Sequence, residues 1–395
     1  MKILPEISRT LSEYLLIPGL TTEDCTPDHV DLGAPLVRHR VGEEPGIRVA
    51  TPMVSAIMQA VSSPTLAVAL AQVGGLSFIH QNQQIEDQVA DVLAVKRQGA
   101  AVVTRNGDAD HQAHKTYHRA TVDSEKRLRV GAGINSRDFK DRIPALTEAG
   151  ADVLCLDSSD GYSVYQARTL EFARDTYGDD VFVGAGNVVD GRAFRYLADA
   201  GAAFVKVGIG GGAICTTRAQ KGIGRGQASA LLDVVQTRDA YARETGVYVP
   251  LCCDGGLLDD SHMAMALAMG ADFVMLGRYF ARLDESPSRK LQIGGQWYKE
   301  YWGEGSRRAQ NAARYGQRGR MVFEEGVDGY VPYAGSLYDN VERTRAKLTS
   351  TMISCGSTNL RDFHRDALLV PVSAESFKQT GAEVRLRPPT IDAGE

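Results

Sequence analysis

The sequence predicts an α/β protein whose eight parallel strands close into a barrel. Short apolar runs rich in β-branched residues alternate with longer segments of helical periodicity. The runs are continuously apolar, as in strands buried on both faces, and glycine often follows the helical segments, as at helix C-termini. The predicted strands are residues 48–51, 76–80, 128–132, 152–157, 181–186, 204–208, 249–254 and 273–277.

The segments between these strands carry apolar residues at the spacing of one helix face. They predict helices at residues 63–75, 85–98, 138–150, 191–201, 228–246 and 261–270. A closed barrel and an open doubly wound sheet both show this alternation of strands and helices. The periodicity alone therefore leaves the two folds open.

Small or polar residues follow the predicted strands, and their position favours the barrel. In a closed parallel barrel the carboxyl ends of all strands meet at one face, where active sites are built. A single pocket there would collect the following residues: Pro52–Met53, His80–Gln81–Asn82, Asp157–Ser158–Ser159, Gly184–Ala185–Gly186–Asn187, Gly208–Ile209–Gly210, Asp254–Gly255–Gly256 and Gly277–Arg278.

Two polar, nearly aperiodic segments interrupt the alternation. The first is residues 103–127, and the second is residues 283–325, which contain Trp297 and Trp302. Because long irregular segments in a compact domain are usually functional, we interpret 283–325 as a mobile flap over the barrel mouth and 103–127 as a connector. Residues 1–395 then form a single catalytic domain.

Composition and charge exclude several classes of function. The net charge of −5 is small and mixed along the chain, so no basic face indicates a nucleic acid or an acidic membrane as partner. No segment reaches about 18 consecutive apolar residues, and the first residues do not resemble a secretory signal, so we expect a cytoplasmic protein. The six cysteines show no paired spacing, which indicates reduced thiols.

One of these thiols stands in a segment suited to chemistry. Cys215 follows the glycines of residues 208–212 after a predicted strand. Glycines let the backbone approach a ligand and adopt positive φ, so the loop could direct the thiol at a substrate as a nucleophile. A buried structural cysteine in a turn is the alternative, because free cysteine is often buried.

The loop and further motifs resemble those of inosine-monophosphate dehydrogenases and guanosine-monophosphate reductases over nearly the whole chain. The matching segments are TPMVSAIM, GGLSFIHQN, VGAGIN, GADVLCLDSSDGYS, VGAGNVVD, CDGGLLDD, GADFVMLGRYF, EYWGEGS and EEGVDGYVPYAG. The resemblance implies a (β/α)8 (TIM) barrel, a homotetramer and a purine nucleotide substrate. It also implies that Cys215 attacks C2 of the purine and forms a thioimidate.

The resemblance further implies a role for each residue of the pocket. Asp254 is expected to bind the ribose hydroxyls, as a carboxylate can by accepting two hydrogen bonds. The 5′-phosphate is expected at the backbone of Gly255, Gly256 and Gly277 and the side chain of Tyr301. The base is expected at Met53, Gly303, Glu304, Gly305 and Glu325. The nicotinamide side is expected at Asp157, Ser158, Ser159 and Asn187.

Catalysis of water attack separates the two branches of the family. In the dehydrogenases an arginine–tyrosine pair on the flap performs it, and Arg314 and Tyr315 stand at the matching place. Thr217 with Glu325 offers a second proton route. The resemblance also implies NAD as cofactor and a potassium ion held by the backbone carbonyls of Gly210, Gly212 and Cys215.

Some positions depart from the usual family pattern. Ala213 replaces a serine, residues 103–127 stand where a pair of regulatory modules is usually inserted, and Gln379-Thr380 replaces residues that complete the potassium site. These departures leave room for other activities, but the Arg314–Tyr315 pair and the long flap favour NAD-dependent oxidation of inosine monophosphate (IMP) to xanthosine monophosphate (XMP). The alternatives are NADPH-dependent reductive deamination of guanosine monophosphate (GMP) or a deazaguanine nucleotide, and a nucleotide-binding regulatory or scaffolding protein.

Overall fold

A closed barrel of eight parallel strands forms the centre of the chain, as the sequence predicts. The computed structural model describes residues 1–98, 119–309, 323–373 and 375–376. The barrel strands are β1 (Met53–Ser55), β2 (Phe78–Ile79), β3 (Gly131–Ile134), β4 (Val153–Leu156), β5 (Val183–Val188), β6 (Val205–Val207), β7 (Leu251–Asp254) and β8 (Phe273–Leu276). Each strand pairs in parallel with its neighbours, in the order β1-β8-β7-β6-β5-β4-β3-β2.

The barrel closes between β1 and the residue that precedes β2. Ser55 donates its backbone N–H to the carbonyl of Leu76 at 3.2 Å, and Leu76 donates to the carbonyl of Met53 at 3.3 Å. The fold is therefore a (β/α)8 barrel and not an open doubly wound sheet, because an open sheet would leave these two edges unpaired.

The first barrel strand lies later in the chain than predicted. Residues 48–51 were expected to form it, but Arg48–Val49 pairs antiparallel with Ala34–Pro35 outside the barrel. The barrel strand begins after Pro52, with Met53 paired to Val274. Proline has no N–H to donate to a ladder, so the strand in the barrel starts beyond it.

Helices surround the barrel. They are α1 (Pro64–Gln72), α2 (Ile85–Lys96), α3 (Phe139–Glu148), α4 (Val164–Tyr177), α5 (Gly191–Asp199), α6 (Thr217–Lys221), α7 (Gln227–Thr245), α8 (Asp260–Ala268), α9 (Arg278–Ala281), α10 (Leu337–Ser354) and α11 (Leu360–Asp366). The six predicted helices coincide with α1, α2, α3, α5, α7 and α8. Side chains cap several N-termini; Asp190, for example, accepts a hydrogen bond from Ala193 N at 2.9 Å before α5.

Short antiparallel sheets lie outside the barrel. Tyr14–Ile17 pairs with Leu368–Pro371, and His39–Arg40 pairs with Val247–Tyr248. A three-stranded sheet consists of Lys290–Ile293, Gln296–Trp302 and Asp328–Pro332. In the described ranges no helix has the length and apolar character needed to span a membrane.

The three-stranded sheet falls largely within residues 283–325, which the sequence analysis interpreted as an aperiodic flap. The described parts of that segment, 283–309 and 323–325, contain two regular strands. The signal was hidden because Lys299 faces inward: it is 3% exposed and donates to the carbonyl of Ser286 at 3.0 Å. A buried lysine interrupts the alternation of apolar and polar residues by which such a strand is recognised.

Aromatic rings fill the interior of the barrel. Phe204 precedes β6, and its ring centroid lies 5.9 Å from that of Phe78 in β2 and 5.4 Å from that of Phe273 in β8. All three side chains are fully buried. Since β2 and β6 are not neighbours in the sheet, this contact crosses the interior. A Cβ at Gly184 in β5 would lie 2.1 Å from the Phe204 ring, so glycine is required there.

We expect Gly184→Ala to lower the free energy of unfolding by about 1–3 kcal/mol, because the added methyl group overpacks the interior beside Phe204. Gly329→Ala is the matched control, since a Cβ there would meet nothing within 4 Å. Denaturant unfolding of both variants measures the difference. Equal stability of the two variants would contradict this account of the core.

Candidate functional site

One cavity lies at the carboxyl ends of the barrel strands and contains most of the residues that the sequence analysis singled out. Loops after β1, β4, β6, β7 and β8 contribute to it, together with Asn187 of β5, Tyr301 and residues 303–305 and 325–326. The predicted site residues that line it are Asp157, Ser158, Ser159, Asn187, Gly210, Gly212, Cys215, Thr217, Asp254, Gly255, Gly256, Gly277, Tyr301, Gly303, Glu304, Gly305 and Glu325.

Two glycine loops lie against each other on one side of the cavity. Gly256 donates its N–H to the carbonyl of Gly211 at 2.9 Å, which joins the loop after β7 to the loop after β6. A Cβ at Gly208 would lie 2.0 Å from the carbonyl oxygen of Asp254, so the two backbones could not approach this closely with a larger residue. Backbone N–H groups exposed by such loops can bind an anion.

Cys215 begins a chain of hydrogen bonds that ends at a buried carboxylate. Its Sγ donates to Thr217 Oγ1 at 3.2 Å, and Thr217 Oγ1 donates to Glu325 Oε2 at 3.0 Å. Thr217 is 2% exposed and Glu325 is 7% exposed, whereas Cys215 is only partly buried. The arrangement can carry a proton from the thiol to the carboxylate through the hydroxyl group.

Backbone hydrogen bonds join the segment of Cys215 and Thr217 to the segment of Glu325. Thr216 N donates to the carbonyl of Glu325 at 3.0 Å, and Val327 N donates to the carbonyl of Ile214 at 3.1 Å. Cys215 and Gly326 thereby form an antiparallel bridge. The nucleophile loop and residues 324–327 thus form a local two-stranded structure, and this structure fixes the Thr217–Glu325 distance.

An irregularity in the barrel positions Asn187 beside Asp254. The pairing of β5 with β6 shifts register, because Lys206 pairs with Gly186 and Val207 pairs with Val188. Asn187 is the extra residue, and its Nδ2 donates to Asp254 Oδ2 at 2.9 Å and to the carbonyl of Gly208 at 2.7 Å. Bulges of this kind often direct a side chain into an active site.

A buried lysine compensates the charge of Asp254. Lys206 is 2% exposed, and its Nζ lies 3.5 Å from Asp254 Oδ2. Burial lowers the pKa of Lys206, but the surrounding acidic groups, Asp254 first among them, together outweigh it, and the pKa is raised above its usual value. The lysine therefore stays protonated, and Asp254 can face the cavity as a carboxylate.

Tyr301 approaches the cavity from the three-stranded sheet. A Cβ at Gly277 would lie 2.6 Å from the Tyr301 hydroxyl oxygen, so this hydroxyl lies directly against the backbone after β8. Burial and the negative charge of Asp254 raise the pKa of Tyr301. Its hydroxyl group therefore keeps its proton and can act as a hydrogen-bond donor.

Glu304 connects three loops around the cavity. Its carboxylate accepts hydrogen bonds from Gln59 N at 2.7 Å and from Asn82 Nδ2 at 3.4 Å. Trp302 Nε1 also donates to Gln59 Oε1 at 3.2 Å. The loops after β1 and β2 are thereby joined to residues 302–305.

Some residues lie elsewhere than expected, and some were not anticipated. Met53 is fully buried inside β1 and does not line the cavity, whereas Met58 does. Met53 is the first residue of β1, at the end of the strand away from the cavity, whereas Met58 lies in the loop that follows β1. Arg278 and Lys206 also line the cavity. Arg278 stood among the predicted strand-end residues but received no role there.

Several predicted residues lie outside the described part of the chain. They are Arg314 and Tyr315 of the flap segment and Gln379 and Thr380 near the C-terminus. The described residues contain no group of three or more histidine, cysteine, aspartate or glutamate side chains that could hold a metal ion.

Burial lowers the reactivity of the other thiols. Desolvation raises the pKa of Cys155 and of Cys253 to about 12, and it raises the pKa of Cys252 and Cys355 as well. Cys25 is also buried, at 7% exposure. Cys215 is the partly exposed thiol, and it opens on the cavity.

We expect iodoacetamide to label the native protein first and mainly at Cys215, because alkylation needs an accessible thiolate. Peptide mass mapping after a short exposure identifies the labelled residue. In denaturant all six cysteines should react. Faster labelling of any other cysteine in the native protein would show that this assignment of reactivity is wrong.

The fold and the site together define a class: a (β/α)8 barrel with a cavity thiol next to a glycine-rich loop. The family model described as IMP dehydrogenase / GMP reductase domain matches residues 8–382. The inosine-5′-monophosphate dehydrogenase of Tritrichomonas foetus is 44% identical, with 96% of this chain and 97% of the relative covered. That of Cryptosporidium parvum is 32% identical, with 94% of each covered.

A bacterial relative gives the same result. The inosine-5′-monophosphate dehydrogenase of Escherichia coli strain K12 is 29% identical, and 94% of each chain is covered. The chain belongs to the IMP dehydrogenase/GMP reductase family, and it is an oxidoreductase of that type.

Proposed function

We propose that this protein oxidises IMP to XMP, with NAD as the hydride acceptor, while the purine is bonded to Cys215. The observation that carries the proposal is the hydrogen-bonded series from Cys215 through Thr217 to Glu325 inside the cavity. The printed names of the relatives support the choice of substrate.

The two glycine loops and their neighbours are proposed to bind the nucleotide. Asp254 accepts hydrogen bonds from the ribose hydroxyls. Its Oδ2 already bonds Asn187 and Lys206, and the carboxylate lines the cavity. The phosphate is proposed to lie against the backbone of Gly255, Gly256 and Gly277 and to accept a hydrogen bond from the hydroxyl of Tyr301, while the N–H of Gly256 is engaged with the carbonyl of Gly211. Arg278 supplies a positive charge at the same end of the cavity.

The base is proposed to lie beside residues 303–305. Glu325 and the backbone of Gly303, Glu304 and Gly305 line the part of the cavity next to the thiol. The Glu304 carboxylate bonds Gln59 and Asn82, so we assign recognition of the purine edge to the backbone of this segment and not to that side chain. Backbone donors held in fixed positions discriminate between purines by their carbonyl and amino groups.

The covalent step begins with the thiol. As Sγ of Cys215 bonds C2, the thiol proton passes to Thr217 Oγ1 and the hydroxyl proton of Thr217 passes to Glu325. The C2–H bond then breaks with loss of hydride, leaving the thioimidate on Cys215. NAD, when bound, accepts this hydride.

The residues on the other side of the thiol suit a nicotinamide ring. Asn187 Oδ1 is buried and has no hydrogen-bond partner, while its Nδ2 is fully engaged. An unpaired buried acceptor is unfavourable, and the amide group of a nicotinamide could satisfy it. Asp157, Ser158 and Ser159 line the same part of the cavity.

Release of the product requires water. The water oxygen bonds C2 while one water proton passes to a base and the other ends on N3 of the purine. The C2–S bond then breaks, and the thiol regains its proton from Glu325 through Thr217. Arg314, with Tyr315 beside it, is proposed as the base for this step, with Thr217 and Glu325 as a second route. A base that acts only after hydride transfer must reach the adduct late, which suits a residue of a flap covering 283–325.

We further propose that the loop before Cys215 binds a potassium ion. The backbone carbonyls of Gly210, Gly212 and Cys215 belong to one loop and are the kind of oxygen ligands that a potassium ion takes. Gly212 O accepts one hydrogen bond, from Cys215 N at 3.1 Å, so a second lone pair is left for a cation.

We further propose a homotetramer of single-domain chains, in which residues 103–127 are a connector.

Replacement of Arg314 by alanine tests the dehydrogenase assignment. Hydride transfer should stay fast while steady-state turnover of IMP falls by about 10²–10⁴-fold, so a burst of reduced cofactor near one equivalent per site should appear. Rapid-mixing absorbance measures both phases. Arg192→Ala, whose side chain is 80% exposed in a surface ion pair with Asp190, should behave as the wild type.

The same measurements also test the alternative function, NADPH-dependent reductive deamination of GMP. A wild-type protein that fails with IMP but oxidises NADPH with GMP, and an Arg314→Ala protein with unchanged rate, would establish reductive deamination. Thr217 and Glu325 would suffice for that reaction, because ammonia and not water is exchanged at C2.

A further inference from the structure

Lys221 reaches the same carboxylate that receives the proton from Thr217. Its Nζ lies 3.5 Å from Glu325 Oε2, and this oxygen also accepts the hydrogen bond from Thr217 Oγ1 at 3.0 Å. Thr217 and Lys221 are the first and last residues of α6. Residues four apart on a helix lie on one face, so both side chains approach Glu325 together.

The burial of the two partners differs. The Glu325 side chain is 6% exposed, whereas the Lys221 side chain is 31% exposed. The lysine therefore extends from the surface toward a carboxylate that water hardly reaches. A buried carboxylate is strongly unfavourable unless hydrogen bonds and a counter-charge compensate it.

The neighbouring carboxylate, that of Glu324, pairs with a different cation. Glu324 binds Arg307 at 3.0 Å, and the Arg307 side chain is 77% exposed. Glu324 thus faces outward with its own cation, and Glu325 faces inward with Lys221. Consecutive residues of an extended segment point to opposite sides, which explains this division.

We propose that Lys221 is a positioning residue for the reaction, which holds the Glu325 carboxylate in hydrogen-bonding distance of Thr217. This inference rests on the proposed function, because it assigns Lys221 to the proton route of that site. Before transfer, the charges are a neutral thiol, a carboxylate and an ammonium group. After transfer they are a neutral sulfur bonded to C2, a negative charge on the purine, a carboxylic acid and the same ammonium group, so charge and protons balance.

The backbone around α6 fixes the origin of the Lys221 side chain. The helix ends at Gly222, which has φ 66° and donates its N–H to the carbonyl of Arg218 at 3.0 Å. Arg218 in turn donates to the carbonyl oxygens of Ile209 and Arg225. The helix is thereby bonded through Arg218 to the loop after β6 and to the segment that follows the helix.

Four variants test the proposal. Lys221→Met should lower kcat for IMP oxidation by about tenfold or more with little change in KM, because the proton route is impaired and the nucleotide contacts remain. Lys221→Arg should retain most activity, since it keeps a cation in place. Glu325→Gln and the Lys221→Met/Glu325→Gln double variant complete a cycle, in which the second change should add little to the first.

Lys347→Met is the matched control. Lys347 forms an ion pair with Asp260 at the surface, outside the cavity, with 57% of its side chain exposed. Its replacement should leave kcat unchanged. Wild-type kcat in Lys221→Met, equal losses in Lys221→Met and Lys221→Arg, or fully additive effects in the cycle would each overturn the proposal.

Alkylation of Cys215 separates this inference from the proposed function. Wild-type protein that does not oxidise IMP would refute the function and leave the proton route to be tested by iodoacetamide. Lys221→Met should then slow labelling of Cys215 relative to Lys347→Met, because the carboxylate that draws the thiol proton is no longer held. Equal labelling rates in these two variants would overturn the inference.

Discussion

The backbone contact between the loops after β6 and β7 is the constraint on which the rest of the site depends. Gly256 bonds Gly211, and a side chain at Gly208 would collide with the backbone of Asp254. The contact joins the two loops through their backbones. The loop after β6 continues from it to Cys215, so the thiol and the glycine backbone have one common support.

Charge compensation is the second organising feature. Each of two carboxylates at the cavity has a lysine at 3.5 Å: Asp254 has Lys206, and Glu325 has Lys221. The pairs differ in burial, since Lys206 is enclosed in the barrel whereas Lys221 reaches in from the surface. Asp254 suits a permanent binding role, because its partner is fixed in a strand. Glu325 suits proton transfer, because Thr217 connects it to the thiol.

Much of the fold could be predicted from the sequence, because barrel strands are buried on both faces and read as continuous apolar runs. The first strand was misplaced, since Val49 and Met53 lie on either side of Pro52 and only pairing with β8 decides between them. The site residues on glycine loops were recognisable by their place after strands. Lys221 was not, because its partner Glu325 is 104 positions away and a five-residue helix carries no periodic signal.

Trapping the covalent adduct tests the central claim most directly. Arg314→Ala protein mixed with IMP and NAD, quenched in acid and digested, should contain a purine nucleotide bonded to the peptide of Cys215, because the adduct accumulates when water attack is slow. The same treatment of Cys215→Ala protein should give no adduct, although the nucleotide still binds. Turnover of IMP by the wild type without any adduct at Cys215 in the trapped samples would contradict the covalent mechanism.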